Sequence, residues 1–293
     1  MKILLTGVNG QVGGDLAQLL PPAFPEATLV AVDREHFDLA DPSAISRAVR
    51  EVKPDVIINP AAYTAVDQAE SERDLAHAIN GFAPGVFAEE AKRSGALLIH
   101  YSTDYVFDGT ATTPYREDAP TNPLGVYGAS KLAGERAIAE VDGDYLILRT
   151  SWVYGLRGKN FFLTIRRLAA ERDELRIVAD QHGTPNWSRS LAAATGALLQ
   201  QGLGSIAERT GLYHLSCTNA TTWYGFTKRI VGNSEHHRVI PITTAEYPLP
   251  ARRPAYAVLA TGKLKACFGL ELPAWEDALD ACLLSTTSTS GQR

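Results

Sequence analysis

The stretch NPLGVYGASKLAGERA, residues 122–137, places Tyr127 four positions ahead of Lys131. On a helix, positions i and i+4 share a face, so the lysine ammonium can stand beside the phenol. A free phenol titrates near pH 10, and an adjacent cation favours its ionised form and lowers that value. Such a pair can deliver a proton to the oxygen of a carbonyl undergoing reduction. Taken singly, Tyr127 reads as a half-buried amphipathic residue and Lys131 as a solvated one, and this spacing occurs on many exposed helices. The chemistry gains weight from what precedes the pair. The segment HYSTDYVFDG supplies two hydroxyls, Ser102 and Thr103, at the end of an apolar run, either of which can hold a substrate oxygen.

A second chemical feature lies near the start. TGVNGQVGG carries Gly7, Gly10 and Gly13 between an apolar run and a helical pattern. Glycines in that position permit a tight turn, close approach of a pyrophosphate to backbone N–H groups, and close helix–sheet packing. Asp33 ends the next apolar run and can accept hydrogen bonds from adenosine ribose hydroxyls, which favours NADH. Arg34 follows it, and a guanidinium can hold the 2′-phosphate of NADPH. The two neighbours point to opposite cofactors, so use of either NADH or NADPH is expected.

These residues need a scaffold that brings strand ends together. KILLT, TLVAVD, DVIIN, ALLIHYS and DYLILRTS are continuous apolar runs. They read as parallel strands covered on both faces. Helical patterns separate them: QVGGDLAQLL, terminated by Pro21 and Pro22; DPSAISRAVREVKP, capped by Asp41; and one long helix over ERDLAHAINGFAPGVFAEEAKRSG. Repeated β-α-β units give an α/β fold of Rossmann type, a doubly wound parallel sheet. Its ligands bind at the carboxyl ends of the strands. Residues 1–155 are assigned to this dinucleotide-binding domain, with segments near 160–215 adding to it. Residues 156–293 form mainly a smaller, partly interleaved substrate-binding lobe, and the polar tail from about 285 reads as disordered.

Composition narrows the partners. Of 293 residues, 45% are hydrophobic and 21% charged, ordinary for a globular protein, and the net charge of −5 argues against nucleic-acid or anionic-membrane binding. Cys217, Cys267 and Cys282 match neither a metal spacing nor a disulfide framework, which suits the cytoplasm. KILLTG is too short for a signal-peptide core, and no apolar run approaches the roughly 20 residues of a membrane helix. The seven histidines show no ligand-pair spacing, and His236 and His237 read as loop surface. Asn80 either braces the active-site backbone or is a solvated helix residue.

TGVNGQVG, STDYVFDG and YGASKLAGE resemble the extended short-chain dehydrogenase/reductase superfamily. AAYTAVDQAE, STDYVFDG, RTSWVYG and DQHGTPNW resemble, more narrowly, the dTDP-4-dehydrorhamnose reductase family, from Met1 to about Leu283. That resemblance implies reduction of the C4 ketone of a dTDP-4-dehydro-6-deoxyhexose. Tyr127 would donate the proton, Lys131 would bind the nicotinamide ribose, and Thr103 would assist. Gly10, Gln11 and Val12 would lie against the pyrophosphate, Asp38 and Leu39 near the adenine, and Ala62, Tyr63 and Thr64 along the cofactor. Thr103, Asp104 and Trp152 would contact the sugar nucleotide; read alone, Asp104 can cap a turn and Trp152 can be core. Some members dimerise through Mg²⁺ held by carboxylates. Here Asp15 supplies the first position, but Arg189 stands at the second and the tail has no acid, so no metal is expected and the assembly is a monomer or weak homodimer. Ala257 also replaces the hydroxyl usual in the RP-x-x-S motif. Alternatives are another deoxysugar 4-ketoreductase, a nucleotide-sugar epimerase or dehydratase, the latter with Asp104 as the extra acid beside the threonine, or a non-catalytic binding subunit.

Overall fold

The apolar runs near the start become parallel strands separated by helices. The computed structural model describes residues 1–232 and 238–290, with side chains of the second stretch to 286; His236 and His237 lie outside the described residues. Strand β1 (Lys2–Leu5) runs into the glycine turn and helix α1 (Gln11–Ala23), followed by β2 (Thr28–Ala31), α2 (Pro42–Val52) and β3 (Val56–Asn59). Short helices α3 (Val66–Ala69) and α4 (Arg73–His77) lead through a π-helical turn, Ala78–Phe82, to α5 (Ala83–Ser94) and β4 (Leu97–Thr103). A 3-10 turn at Asp104–Val106 and a long loop precede α6 (Val126–Val141) and β5 (Tyr145–Thr150). The remainder comprises β6 (Val153–Tyr154), α7 (Phe161–Glu171), β7 (Glu174–Val178), β8 (His182–Gly183), β9 (Asn186–Trp187), α8 (Ser188–Gln200) and α9 (Leu203–Ala207). It ends with β10 (Gly211–His214), β11 (Thr221–Thr222), α10 (Trp223–Val231), β12 (Arg238–Ile242), α11 (Gly262–Phe268) and α12 (Trp275–Ser290).

Six of these strands form one parallel sheet in the order β2-β1-β3-β4-β5-β10. The direction of winding reverses between β1 and β3, and ligands of open α/β sheets bind outside the strand ends at such a point. The two sheet faces divide residue by residue, as the two-residue period of a strand requires. Leu4, Ile57, Leu98 and Ile147 pack with Ile45 and Val49 of α2, Phe87 of α5 and Ile138 of α6. Ile3, Leu5, Ile58 and Ile99 pack with Leu16 of α1 and Leu191 of α8, in a cluster that continues into Phe162, Phe226 and Trp275. The later segment therefore shares the first core. Strand β10 closes the sheet edge beside β5, so the chain returns to the first sheet within its last third.

Three expectations about elements need correction. Helix α1 does not stop at Pro21 and Pro22 but contains both and ends at Ala23, with Phe24 N–H bonding Leu20 O at 2.9 Å. In a final turn, two missing N–H donors do not force the chain off its helical path. The long helix between β3 and β4 is broken into α4, the π turn and α5. Pro84 has no N–H to return to the Asn80 carbonyl, and Ala83 instead bonds Ala78 O one residue farther back. Helix α12 continues to Ser290, past the expected loss of order near 285. Asp41 does cap α2, accepting from the N–H groups of Ser43 and Ala44.

Helix α6 is fastened to the sheet by a buried ion pair. Arg149 of β5 donates from Nε and Nη2 to the two carboxylate oxygens of Glu135, at 2.8 and 2.6 Å, and both side chains are 4% exposed. Removing one partner leaves the other charge buried and unpaired. Glu135→Ala is expected to cost about 3–5 kcal/mol, read as a lower urea midpoint. Arg167→Ala, which opens the exposed pair with Glu171, is expected to leave that midpoint in place.

Candidate active site

The turn after β1 is built for close approach. Gly7 takes φ +61°, and a Cβ at Gly13 would overlap the Gly7 carbonyl, with the Gly7 carbon 2.7 Å away. Both conditions need glycine. Helix α1 therefore begins directly behind β1, with Gly10 as its N-cap, and its unpaired N–H groups and positive dipole end face the switch point.

A cleft of about 640 Å³ opens there. It gathers Gly7, Gly10, Gln11, Val12 and Gly13 after β1; Asp33, Arg34, Asp38 and Leu39 after β2; Ala62, Tyr63 and Thr64 after β3; and Tyr127 and Lys131 of α6. Thr103, Asp104 and Trp152 are not among its lining residues. Sequence reasoning misses Asn9, Thr6, Thr150 and Lys159, which also line it. Asn9 sits inside the glycine turn, and Lys159 follows a second glycine, Gly158, a cue comparable to the first turn.

At the β2 end, Asp33 accepts from Asn9 Nδ2 at 2.6 Å, from the Glu35 N–H at 3.0 Å and from His36 Nδ1 at 2.8 Å. These bonds, led by His36, hold its carboxyl below the usual range. Arg34 is 80% exposed and lies 3.7 Å from Asp38, so it is free to turn toward a ligand. The Gln11 side chain is already engaged. It donates to Val153 O at 3.3 Å and accepts from Asn160 Nδ2 at 2.9 Å, tying the 153–160 segment to the start of α1.

The π turn explains Asn80. Its Oδ1 accepts from the Tyr63 N–H at 2.8 Å, while Nδ2 donates to Tyr63 O at 3.0 Å and Ser130 Oγ at 3.1 Å. Asn80 is fully buried and braces the backbone of the Ala62–Thr64 stretch against α6.

At the reacting end, the expected tuning of Tyr127 by Lys131 is not what the structure contains. Lys131 is 2% exposed and turns inward, donating to Tyr101 O at 2.6 Å and meeting His100 Nε2 at 3.0 Å. Burial lowers the Lys131 pKa to about 8, against the charge of Glu135. Tyr127 is pushed up to about 12 by burial, opposed by a hydrogen bond with Thr103 and reinforced by Asp104. The phenol is thus protonated through the neutral range. The shared helix face is real, but a buried ammonium without a counterion seeks the strongest acceptors, here a carbonyl and an imidazole.

The two candidate hydroxyls separate. Ser102 Oγ donates to Glu135 at 2.5 Å, whereas Thr103 reaches Tyr127. Thr103 also donates to Asp104 Oδ1 at 3.0 Å and accepts from the Tyr105 N–H, so the threonine, not Asp104, caps the 3-10 turn. Asp104 is 1% exposed, burial raises its pKa to about 7, and its Oδ2 has no partner. Trp152 adopts φ +43°, uncommon for a bulky residue, and stacks on Trp223 at 3.6 Å above Gly183. Asp15 accepts from Ser188 Oγ at 2.5 Å and lies 3.8 Å from Arg157. Among the described residues, no group of three or more His, Cys, Asp or Glu could hold a metal, and no helix is long and apolar enough to cross a membrane.

The sequence matches the family model described as the RmlD substrate binding domain over residues 1–288. It is 48% identical to a dTDP-4-dehydrorhamnose reductase of Burkholderia thailandensis, covering 97% of this chain and 98% of the relative, and 41% identical to that of Sinorhizobium fredii, covering 95% of each. Among solved structures, a dTDP-4-dehydrorhamnose reductase from Bacillus anthracis in complex with NADP superposes with a TM-score of 0.89 at 37% identity, covering 97% of this chain and 99% of that one. A Clostridium acetobutylicum relative gives 0.92 at 36%, over 98% and 100%. A UDP-glucose 4-epimerase of Thermus thermophilus in complex with NAD, at 21% identity and a TM-score of 0.74 over 91% and 92%, shares the fold. The parallel sheet, the glycine turn at its switch point and these likenesses along nearly the whole chain agree: this protein belongs to the RmlD family, that of the dTDP-4-dehydrorhamnose reductases.

Proposed function

We propose that this chain reduces the C4 ketone of dTDP-4-dehydro-6-deoxy-L-mannose to dTDP-L-rhamnose, using NADPH or NADH. The observation that carries this reading is the single cleft holding the glycine turn at one end and Tyr127 with Lys131 at the other. The names of the relatives support the substrate, and NADP in the Bacillus anthracis relative supports the cofactor.

The residues present fit a dinucleotide. The Gly13 close approach leaves room for a pyrophosphate against the N–H groups of Gly10, Gln11 and Val12, and Lys159 adds a cation to the same cleft. Asp33 is oriented to accept from ribose hydroxyls, and Arg34 beside it can meet a 2′-phosphate. Asp38 and Leu39 would flank the adenine, and Ala62, Tyr63 and Thr64 would lie along the cofactor on the backbone that Asn80 braces. Lys131, with two acceptors already engaged, has one N–H left for the nicotinamide ribose.

When bound, the nicotinamide supplies a hydride to the sugar C4. Tyr127, protonated at neutral pH, gives its phenolic proton to the oxygen that becomes the C4 hydroxyl. Thr103 holds the Tyr127 oxygen and the substrate oxygen in line. Ser102 is turned to Glu135, whereas Thr103 is the hydroxyl that reaches Tyr127, and it serves by turning its proton from Asp104 to the substrate oxygen. Asp104 and the Trp152–Trp223 stack are assigned to sugar-nucleotide contacts, on the side formed by the second lobe. Asp15 is occupied by Ser188 and Arg157, which supports an assembly that is not metal-bridged.

The reading is tested by mixing the purified protein with the dTDP-4-keto sugar and reduced cofactor; stoichiometric cofactor oxidation with formation of dTDP-L-rhamnose is expected, and no oxidation with either cofactor would overturn it. Tyr127→Phe should lower kcat by about 10²- to 10⁴-fold with little change in the KM for NADPH, because it removes the acid and not a binding group. Arg34→Ala should raise the KM for NADPH by roughly tenfold and leave that for NADH nearly unchanged, since only the 2′-phosphate loses a charge-assisted bond.

A further inference from the structure

Beneath the cleft runs a chain of buried polar side chains that joins Lys131 to three residues given no part in the reaction described above. Thr6 directly follows β1, Asn59 closes β3, His100 lies within β4 and Lys131 projects from α6; all four are 2% exposed or less. Thr6 Oγ1 and Asn59 Oδ1 are 2.6 Å apart, Asn59 Nδ2 and His100 Nδ1 3.2 Å, and His100 Nε2 and Lys131 Nζ 3.0 Å. We propose that His100 is a positioning residue for Lys131, and that Asn59 and Thr6 tie the charge of Lys131 to the tautomer of this one imidazole.

Each donor along this chain must meet an acceptor. Burial and the charge of Lys131 hold His100 neutral, its pKa well below the ordinary value. A neutral imidazole has one donor nitrogen and one acceptor nitrogen. If Lys131 is an ammonium, Nε2 must accept from it, and the ring proton sits on Nδ1. That N–H then needs the Asn59 carbonyl, which turns the Asn59 NH₂ toward the Thr6 hydroxyl. If Lys131 is neutral, its lone pair can accept from Nε2–H. Nδ1 then accepts from the Asn59 NH₂, and the Asn59 carbonyl accepts from Thr6, the orientation in which the amide stands here. An amide's two orientations differ only by exchange of N and O, so the side chains need not otherwise move.

The groups around Lys131 set where the exchange falls. Tyr101 O and His100 face it from β4, Glu135 lies one turn farther along α6 and is paired to Arg149 of β5, and Tyr127 lies one turn before. Glu135 favours the cation and burial opposes it, leaving a balance near pH 8. Below that value, the ammonium uses Tyr101 O and His100 Nε2 as two fixed acceptors, and its third N–H is directed by what remains. His100 therefore aims Lys131 as well as reporting its charge.

The inference rests on the cofactor role given to Lys131 above, and the test separates the two. Protein labelled with ¹⁵N-histidine is followed by long-range ¹H–¹⁵N NMR from about pH 6 to 10, with the His100 signals assigned by their loss in His100→Gln. The Nδ1–H tautomer is expected at the acid end and the Nε2–H tautomer at the alkaline end, with a midpoint near 8 that disappears in Lys131→Met. A His100 tautomer that stays the same across this range would overturn the proposal, whatever the activity of the enzyme. NADPH affinity, titrated over the same range, should weaken with the same midpoint. In His100→Leu, which lacks the acceptor for the ammonium, that midpoint should fall by about one pH unit. An unshifted midpoint in a folded His100→Leu protein also overturns the proposal. If the tautomer responds while NADPH affinity does not, the coupling stands and the cofactor role of Lys131 is the part that fails.

Discussion

Two charged side chains buried on α6 fix where Tyr127 stands, and the rest of the site depends on that placement. Lys131 and Glu135 are one turn apart, and each is sealed from water at 4% exposure or less. Burying a charge is unfavourable unless it is hydrogen-bonded or paired, so each draws a specific partner to it. Glu135 takes Arg149 and Ser102 from adjacent strands, and Lys131 takes Tyr101 O and His100 from β4. The helix cannot rotate or slide without breaking several charge-assisted bonds at once. Tyr127, at the start of the same helix, is thereby held in the wall of the cleft beside Thr103.

This arrangement separates the tasks that a carbonyl reductase must perform. Backbone groups at the switch point line one end of the cleft, and their placement follows from glycines that let α1 begin close behind β1. Polar side chains under the strand ends hold Lys131, while Tyr127 lines the cleft and is hydrogen-bonded to Thr103 behind it. The phenol stays protonated because it is half buried, and that is the state a proton donor needs. A developing negative charge on the sugar oxygen would draw the proton across, so the acid need not be strong in the resting enzyme.

Much of this was legible in the sequence. Apolar runs ending in glycine, asparagine or hydroxyl residues announce parallel strands, and Gly7, Gly10, Gly13 and Asp33 line the cleft at the ends of those strands. Local patterns failed where a partner distant in sequence decided the outcome. Lys131 reads as a partner for Tyr127 because helical spacing is a local rule, but its direction was set by His100 and Tyr101, some 30 residues away. His100 stands in the middle of the run ALLIHYS, and a titratable residue inside a buried strand was the available sign of the network. The π turn was signalled by Pro84, four residues after Asn80, although the helical pattern on both sides concealed it. The second lobe was the least readable, since β6, β8, β9 and β11 are two residues long and are defined only by their partners.

The central claim is that a hydride and a proton arrive at the two atoms of one sugar carbonyl held beside Tyr127. The most direct measurement is isotopic. NADPH carrying two deuterons at nicotinamide C4 is turned over with the dTDP-4-keto sugar, and the product is located by mass and NMR. The account predicts one deuteron on C4 of the product sugar and a hydroxyl proton from solvent. A product without deuterium at C4, or a cofactor recovered with both deuterons and its redox state unchanged, would contradict it.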